Sequence, residues 1–395
     1  MSWKETNVNE ERMKFIVAWK QGGWTKSDLC REFGISRVTG DKYIRQYEEY
    51  GIEGLKDKSH APKKQAYTVR KKLVDLIVEF REDHPSWGAR KLLPRLRGRY
   101  PGIKDWPCIT TTNRILKRNG LVKKRKRIPK SVPVFPFSHV IDPNDVWCSD
   151  YKGHFTVGNN KRCDPLTISD AYSRFLLECR IVDKTDAYNA KKVFTAVFRE
   201  YGLPNAIRTD NGVPFASTSI AGLSSLSVWW LKLVIRLERI EPGKPQQNGR
   251  HERMHRTLKQ ETALPPKSSL KAQQKAFDDF KKEFNFERPH EALKYKFPSQ
   301  LYKHSKKEFP EKIPEVAYPT NMEVYEVGDM GAIGYGYKRI FISSSLRGEL
   351  IGLEEISERH LRIHFCSVAI GVLDTYTGKL LKYKNPAPTE LLDKI

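Results

Sequence analysis

Trp147-Cys148-Ser149-Asp150-Tyr151 places a carboxylate at the start of an alternating apolar run. Ile207-Arg208-Thr209-Asp210-Asn211-Gly212 ends a second apolar run on another carboxylate. Pro242-Gly243-Lys244-Pro245-Gln246-Gln247-Asn248-Gly249 leads into a helical stretch that carries Glu252 one turn in. Two strand ends and a helix are supports that an α/β domain can bring to one point. Three converging carboxylates repel one another and are tolerated when divalent cations sit between them. Hard oxygen ligands with open positions suit Mg²⁺ or Mn²⁺. Asp150, Asp210 and Glu252 are therefore the expected metal ligands and catalytic residues.

Charge points to the substrate. The 395 residues hold 71 Lys and Arg against 47 Asp and Glu, a formal net charge of +24. The cations cluster, in Lys123-Lys124-Arg125-Lys126-Arg127 and at Arg95, Arg97 and Arg99. Such an excess calls for a polyanionic partner, and with a candidate metal site that partner is expected to be double-stranded DNA. The length predicts two to four domains, and the 23 prolines predict several linkers.

Six cysteines, Cys30, Cys108, Cys148, Cys163, Cys179 and Cys366, are scattered singly with no CxxC pair. This spacing supports neither a zinc ribbon nor a disulfide framework and predicts buried thiols in a reducing compartment. No stretch approaches the ~20 apolar residues of a membrane span, and the charged start does not read as a signal peptide. A cytoplasmic location is expected, with no membrane partner.

Residues 10–50 read as three short helices. The first covers 11–20, with Phe15, Ile16 and Trp19 at helical spacing, and Gly22-Gly23 ends it. Thr25 is an expected N-cap with Asp28 three places on. Leu29 and Phe33 are the expected buried positions of the second helix, Gly34 its turn and Ile35 a core plug. Ser36 caps a third helix through Val38, Tyr43, Ile44 and Tyr47. This is a helix-turn-helix pattern, and Arg37, Thr39 and Lys42 are the residues expected to face a major groove. A second helical module comes after a polar linker. It has Leu73, Ile77 and Phe80 on one face, a break at Pro85-Ser86-Trp87-Gly88, and a last helix opened by Thr110, Thr111 or Thr112 that exposes Arg114 and Lys117. Residues 123–139 read as an extended basic linker whose Lys123, Lys124, Arg125, Lys126 and Arg127 track phosphates.

Residues 140–300 read as alternating α/β, with strands at 146–157, 165–168, 175–182, 206–208 and 234–237, and helices at 186–201, 224–232, 247–264 and 269–285. The runs 147–150, Thr209-Asp210-Asn211-Gly212, 242–252 with Leu258-Lys259-Gln260-Glu261, and Asn285-Phe286-Glu287-Arg288-Pro289-His290-Glu291-Ala292-Leu293 resemble one family. It is the integrase catalytic core, a ribonuclease-H-like domain shared by retroviral integrases and bacterial insertion-sequence DDE transposases. The resemblance covers about half the chain. It implies a transposase that binds mobile-element ends, cleaves a strand and joins the exposed 3′-hydroxyl to target DNA, using two Mg²⁺ or Mn²⁺ ions per site. It also implies a homo-oligomer on DNA, associated with the bacterial nucleoid. A catalytically inert DNA-binding regulator is the alternative. The chain departs from the family in a longer Asp210–Glu252 gap, with extra length expected around 215–230.

The same helix holds His251-Glu252-Arg253-Met254-His255, a match to the HExxH zinc-peptidase pattern. Arg253 inside it, Arg250 and Arg256 beside it and no evident third ligand make a zinc metallopeptidase the remote alternative. Glu252, Arg256 and Lys259 share a helix face, while Lys244, Gln246 and Asn248 lie on the preceding loop; all but Glu252 are expected DNA contacts. From about 323 the chain carries short strands at 323–327, 339–342, 350–353 and 361–365, punctuated by glycines. They predict a small all-β, SH3-like barrel. The expected domains are thus 1–53, 67–122, a linker at 123–139, 140–300 and 323–395. Lys338, Arg339, Arg347, Arg359 and Arg362 are further candidate DNA contacts.

Overall fold

The computed structural model describes residues 7–57, 69–122, 137, 139–241 and 249–388. The chain divides into two compact units, Met1–Val69 and Arg70–Ile395.

The first unit holds α1 (Val8–Gln21), α2 (Lys26–Glu32) and α3 (Arg37–Tyr50). Each starts on a polar cap: Asn7, Thr25 and Ser36 accept backbone N–H groups two or three residues on, satisfying donors the first turn leaves orphaned. Gly34, at φ +62°, makes the turn between α2 and α3. Phe15, Ile16, Leu29, Cys30, Ile44 and Leu55 form the core. Phe33 is only half-buried, because α2 ends one residue before it; its ring meets Phe15 edge-on at 5.5 Å. Gly40 is the tight point. A Cβ there would press into Cys30 Sγ and lie 3.1 Å from Phe15. Gly40→Ala should cost about 1–3 kcal/mol by overpacking, measured as a fall in urea midpoint of a fragment spanning this unit.

The second unit opens with α4 (Lys71–Asp83), α5 (Ala89–Arg99) and α6 (Ile109–Arg118). Leu73, Ile77 and Phe80 are buried as their spacing predicts. No threonine caps α6: Cys108 occupies the cap position, and Thr112 is buried with its hydroxyl donating to Cys108 O. Two ion pairs, Arg95–Glu287 at 3.2 Å and Arg90–Glu291 at 2.9 Å, tie these helices to the rest of the unit.

A mixed sheet comes next, from β1 (Val146–Tyr151), β2 (Phe155–Thr156), β3 (Arg162–Asp170), β4 (Leu176–Val182), β5 (Ala206–Thr209) and β6 (Arg236–Arg239). The strand expected over 146–157 is broken at 152–154. Gly153 has φ +79° there, and β2 resumes along β3 with the register slipped by one residue. β1, β3 and β4 pair antiparallel, whereas β5 runs parallel to β1 and β6 parallel to β5. Helices α7 (Ala187–Tyr201), α8 (Ser225–Lys232), α9 (Gly249–Thr262) and α10 (Leu270–Phe286) complete the core. Trp147, Leu166, Ile168, Phe194, Phe198 and Trp230 dominate the packing of α7 and α8 on the sheet. Met254, Leu258, Phe277, Phe280 and Phe284 seat α9 and α10.

Beyond the core lie β7 (Glu323–Glu326), β8 (Ala332–Tyr335), β9 (Lys338–Phe341), β10 (Leu350–Ser357), β11 (His360–Phe365), β12 (Val368–Asp374) and β13 (Leu380–Pro388). They form a five-stranded antiparallel sheet, ordered β13-β12-β11-β10-β7, and a β8–β9 hairpin. Their shared apolar core takes in Ile220, Ala221, Leu223, Val228 and Leu231 from the long Asp210–Glu252 gap. The same short stretch turns Phe215, Leu226, Trp229 and Trp230 into the core of the mixed sheet. The extra length in the gap thus joins two apolar cores, which explains why α8 is apolar all round. The Lys232–Glu349 ion pair at 2.8 Å and the Ser219–Ser343 hydroxyl contact fasten the same junction.

Candidate active site

Asp150 lies near the end of β1, and Asp210 directly succeeds the last residue of β5. These strands are neighbours, parallel, and paired Val146↔Ala206, Trp147↔Ile207 and Cys148↔Arg208. Continuing that register two residues sets Asp150 level with Asp210 on the same face. Neighbouring strands lie about 4.7–4.9 Å apart, so the two carboxylates are forced together by the sheet itself. Gly212 N–H donates to Asp210 Oδ1 at 3.1 Å, and a Cβ on Gly212 would sit 3.0 Å from Asp210 Oδ2. The glycine therefore lets the chain turn tightly around the carboxylate.

The electrostatics register the crowding. Burial, then the charge of Asp210, with Glu252 adding, push the Asp150 carboxyl up to about 7. The Tyr151 backbone N–H and Lys152 pull the other way and do not offset this. A carboxyl raised to about 7 by burial and by two other carboxylates fits a site that takes cations. The donor set, three hard oxygens, fits a divalent ion such as Mg²⁺. The cage is not preformed: among the described residues, no three His, Cys, Asp or Glu side chains are drawn together as a metal would need.

Helix α9 presents two faces. Glu252, Arg256 and Lys259 are exposed, while His251, Met254, His255, Leu258 and Thr262 are buried. The expected face is therefore present, with one acid and two cations in line. A cavity of ≈ 230 Å³ opens beside it, lined by Lys152, Gly153, Phe155, Leu258, Lys259 and Phe277 among others. Burial and the nearby Lys259 lower the Lys152 pKa.

The HExxH histidines are not poised for zinc. Nε2 of His251 and Nε2 of His255 both meet Thr167 Oγ1, at 2.7 and 2.6 Å. His251 is 2% exposed and His255 6%, so neither reaches a phosphate. Burial drives His251 down to about 3 and His255 well below its ordinary value. His255 Nδ1 lies 3.8 Å from Asp150 Oδ2, but a neutral imidazole makes no ion pair there.

Arg37, Lys42, Arg114 and Lys117 are exposed on their helices as expected. Thr39 is less free: its N–H donates to Ser36 Oγ, and its hydroxyl lies 2.8 Å from that of Ser36. Lys123, Lys124, Arg125, Lys126 and Arg127, and likewise Lys244, Gln246 and Asn248, lie outside the described residues. Arg359 pairs with Asp374 at 2.7 Å and Arg362 with Glu354 at 3.0 Å, so both are engaged within the β-module, while Arg339 and Arg347 are exposed. Only four of the six thiols are buried; Cys108 is exposed and Cys366 intermediate.

Two features went unread in the sequence. Phe137, in the basic linker, is buried, with the Arg208 and Arg250 guanidinium groups 4.0 and 4.5 Å from its ring centroid. An aromatic among prolines carries no local signal of such a seat. Thr167 and Ser169 alternate with Leu166 and Ile168 along β3, which marks two faces but not what covers the polar one.

Fold and site together define a class: a ribonuclease-H-like core with a mixed sheet and paired aspartates on neighbouring parallel strands. Two family models, each described as an integrase core domain, match residues 142–245 and 233–298. Models of a helix-turn-helix domain and a homeodomain-like domain match 11–63 and 39–116. The chain belongs to the transposase/integrase family, with helix-turn-helix domains ahead of an integrase core. It is similar to the insertion element IS407 uncharacterized 31.7 kDa protein of Burkholderia multivorans, at 25% identity over 57% of this chain and 78% of that one. It is also similar to the insertion element IS476 uncharacterized 39.2 kDa protein of Xanthomonas euvesicatoria, at 26% identity over 57% and 63%. Among solved structures, the HTLV-2 integrase catalytic core domain in complex with magnesium overlaps 41% of this chain and 99% of its own, at 16% identity and a TM-score of 0.33. The simian T-cell lymphotropic virus intasome in complex with PP2A regulatory subunit B56 gamma overlaps 71% and 91%, at 16% identity and a TM-score of 0.37. Overlaps this loose carry no argument about the present chain.

Proposed function

We propose that the chain is a DNA transposase that binds the ends of its mobile element and cuts and joins strands there through Asp150, Asp210 and Glu252. The observation that carries this reading is the half-buried Asp150, level with Asp210 in the strand register and raised to about 7 by partial burial and its acidic neighbours. Divalent cations bound here would activate the attacking oxygen and stabilise the leaving 3′-oxygen. The chain's own residues do the positioning. Asp150 would hold a cation as its carboxylate, its proton passing to solvent. Asp210 is oriented through Oδ1 by the Gly212 N–H and would hold a cation beside Asp150. Glu252 faces outward on α9, and Arg256 and Lys259, on the same exposed face, meet the duplex backbone. Lys152 and Lys259 give the adjoining cavity a cationic rim. Incubating the purified protein with duplexes that carry the element's terminal repeats, with and without Mg²⁺, tests the reading.

Recognition divides between base edges and phosphates. Arg37 and Lys42, exposed at the start of α3, are the proposed base readers, with Arg114 of α6 as a second cationic contact. Lys123–Arg127, Lys244, Gln246 and Asn248 supply affinity along the backbone. Arg37→Ala should reduce the preference for the element end by about 1–3 kcal/mol. Removing the five charges at 123–127 should weaken specific and random duplexes alike and flatten the salt dependence by roughly 0.9 log unit per lost contact. Competition binding across a salt series separates the two; equal weakening of both duplexes by Arg37→Ala would exclude α3 as the sequence reader. The C-terminal strands close on one apolar core, which supports an SH3-like barrel. The protein is expected to act as a homo-oligomer on DNA in the cytoplasm. No helix among the described residues is long and apolar enough to cross a membrane.

A further inference from the structure

We propose that Thr167 is a positioning residue that clamps the strand bearing Asp150 to the helix bearing Glu252. Thr167 is the cross-strand partner of Asp150 in the β1–β3 pair. Its hydroxyl lies 3.0 Å from Asp150 O, 2.7 Å from His251 Nε2 and 2.6 Å from His255 Nε2. His251 and His255 stand one helical turn apart, on either side of Glu252 in sequence. Two fastenings a turn apart leave α9 free neither to roll nor to slide against the sheet. The aim of Glu252 relative to Asp150 is thereby fixed through a single oxygen. The HExxH pattern is, on this account, a clamp rather than a zinc site.

Donor counting fixes the protons. A threonine hydroxyl has one proton to give and two lone pairs. A backbone carbonyl only accepts, so the proton goes to Asp150 O. Both imidazoles must then donate to Thr167 through Nε2–H. Ser169 Oγ, 3.0 Å from His251 Nδ1, donates to that nitrogen and completes the set. Thr167 is fully buried and both rings nearly so, so water does not compete. Replacing the hydroxyl by a methyl would orphan two buried N–H donors together.

The catalytic part of this inference rests on the proposed nuclease reading; the hydrogen-bond part does not, and the test separates them. The full-length protein, labelled with ¹⁵N and ¹³C histidine, is studied by imidazole NMR. Both His251 and His255 should be Nε2–H tautomers, and Thr167→Val should shift both resonances. An Nδ1–H tautomer at either residue would overturn the clamp whatever the enzyme does. Mg²⁺-dependent nicking is then compared for wild type, Thr167→Val and Thr167→Ser. The valine variant should lose kcat by about 10- to 100-fold, as slight misplacement of a catalytic group does, with KM for DNA unchanged. Serine, which keeps the hydroxyl, should restore most of it. Wild-type kcat in the valine variant, or equal losses in both variants, would overturn the positioning role. If the valine variant does not fold, the serine variant and the wild-type tautomers decide. Absence of nicking by the wild type would instead count against the nuclease reading.

Discussion

Asp150→Asn is expected to make the protein more stable while abolishing DNA cleavage. In the unfolded chain Asp150 ionises at an ordinary carboxyl pKa of 3.8, whereas the folded chain raises it to about 7. Between these values the unfolded state binds fewer protons than the native state, so stability falls as pH rises. The shift of about 3 pKa units corresponds to a cost on the order of 2–4 kcal/mol, fully present above pH ~7 and absent below about pH 4. Asparagine keeps the shape and removes the charge. In EDTA at pH 8 the variant should therefore melt later than wild type, and the gap should close as pH is lowered to about 4. Loss of a metal ligand should meanwhile cost about a thousand-fold or more in cleavage, the equivalent of several kcal/mol. Saturating Mg²⁺ should shrink or reverse the stability gap, because only wild type gains the full binding energy. Thermal melts with and without EDTA at several pH values check all of this. A variant that melts earlier than wild type in EDTA at pH 8 would remove the crowding argument.

Arg288→Met is the second large effect, and it concerns architecture. The Arg288 side chain is 4% exposed. Its Nη1 donates to both oxygens of Glu261 at 2.8 Å, and its Nη2 to Ser86 Oγ at 3.1 Å. Its guanidinium sits 5.8 Å from the Trp87 ring and 3.7 Å from Glu283. One side chain thus ties the end of α9 and α10 to the loop before α5. Removing one partner of a buried charge pair leaves the other uncompensated, at about 3–5 kcal/mol. Lysine cannot reproduce the planar fork, so Arg288→Lys should recover only part of the loss. Chemical denaturation of the three proteins measures it; a loss below about 1 kcal/mol for methionine would show that the network is not a fastening.

The sequence made some of this visible for identifiable reasons. Thr25, Gly34 and Ser36 declare their turns and caps through local chemistry, and helical spacing exposes Leu73, Ile77 and Phe80. The apolar run that stops at Asp210 reads as a strand end, whereas Asp150 heads its alternating run and only the break at 152–154 puts it near the end of β1. What stayed hidden depends on contacts distant in sequence. Strands β8, β12 and β13 went unread; β8 and β12 carry Gly334 and Gly371, and Gly371 is held by the close approach of Leu381 O and Ile220. The long gap before Glu252 reads as a helix at 224–232 and a short strand, but nothing local shows that Ile220, Leu223 and Leu231 enter a second core. The histidines of α9 show helical spacing in sequence, but only the strand opposite them reveals that they share Thr167.

The most direct test of the central claim is strand cleavage of a duplex bearing the inverted repeats that flank the gene. Cleavage is measured in Mg²⁺, in Mn²⁺ and in EDTA, for wild type, Asp210→Asn and Glu252→Gln. Cleavage by wild type in Mg²⁺ or Mn²⁺ alone, lost in both variants while each still binds the duplex, is the predicted result. Cleavage that persists in EDTA, or at wild-type rate in either variant, would contradict it.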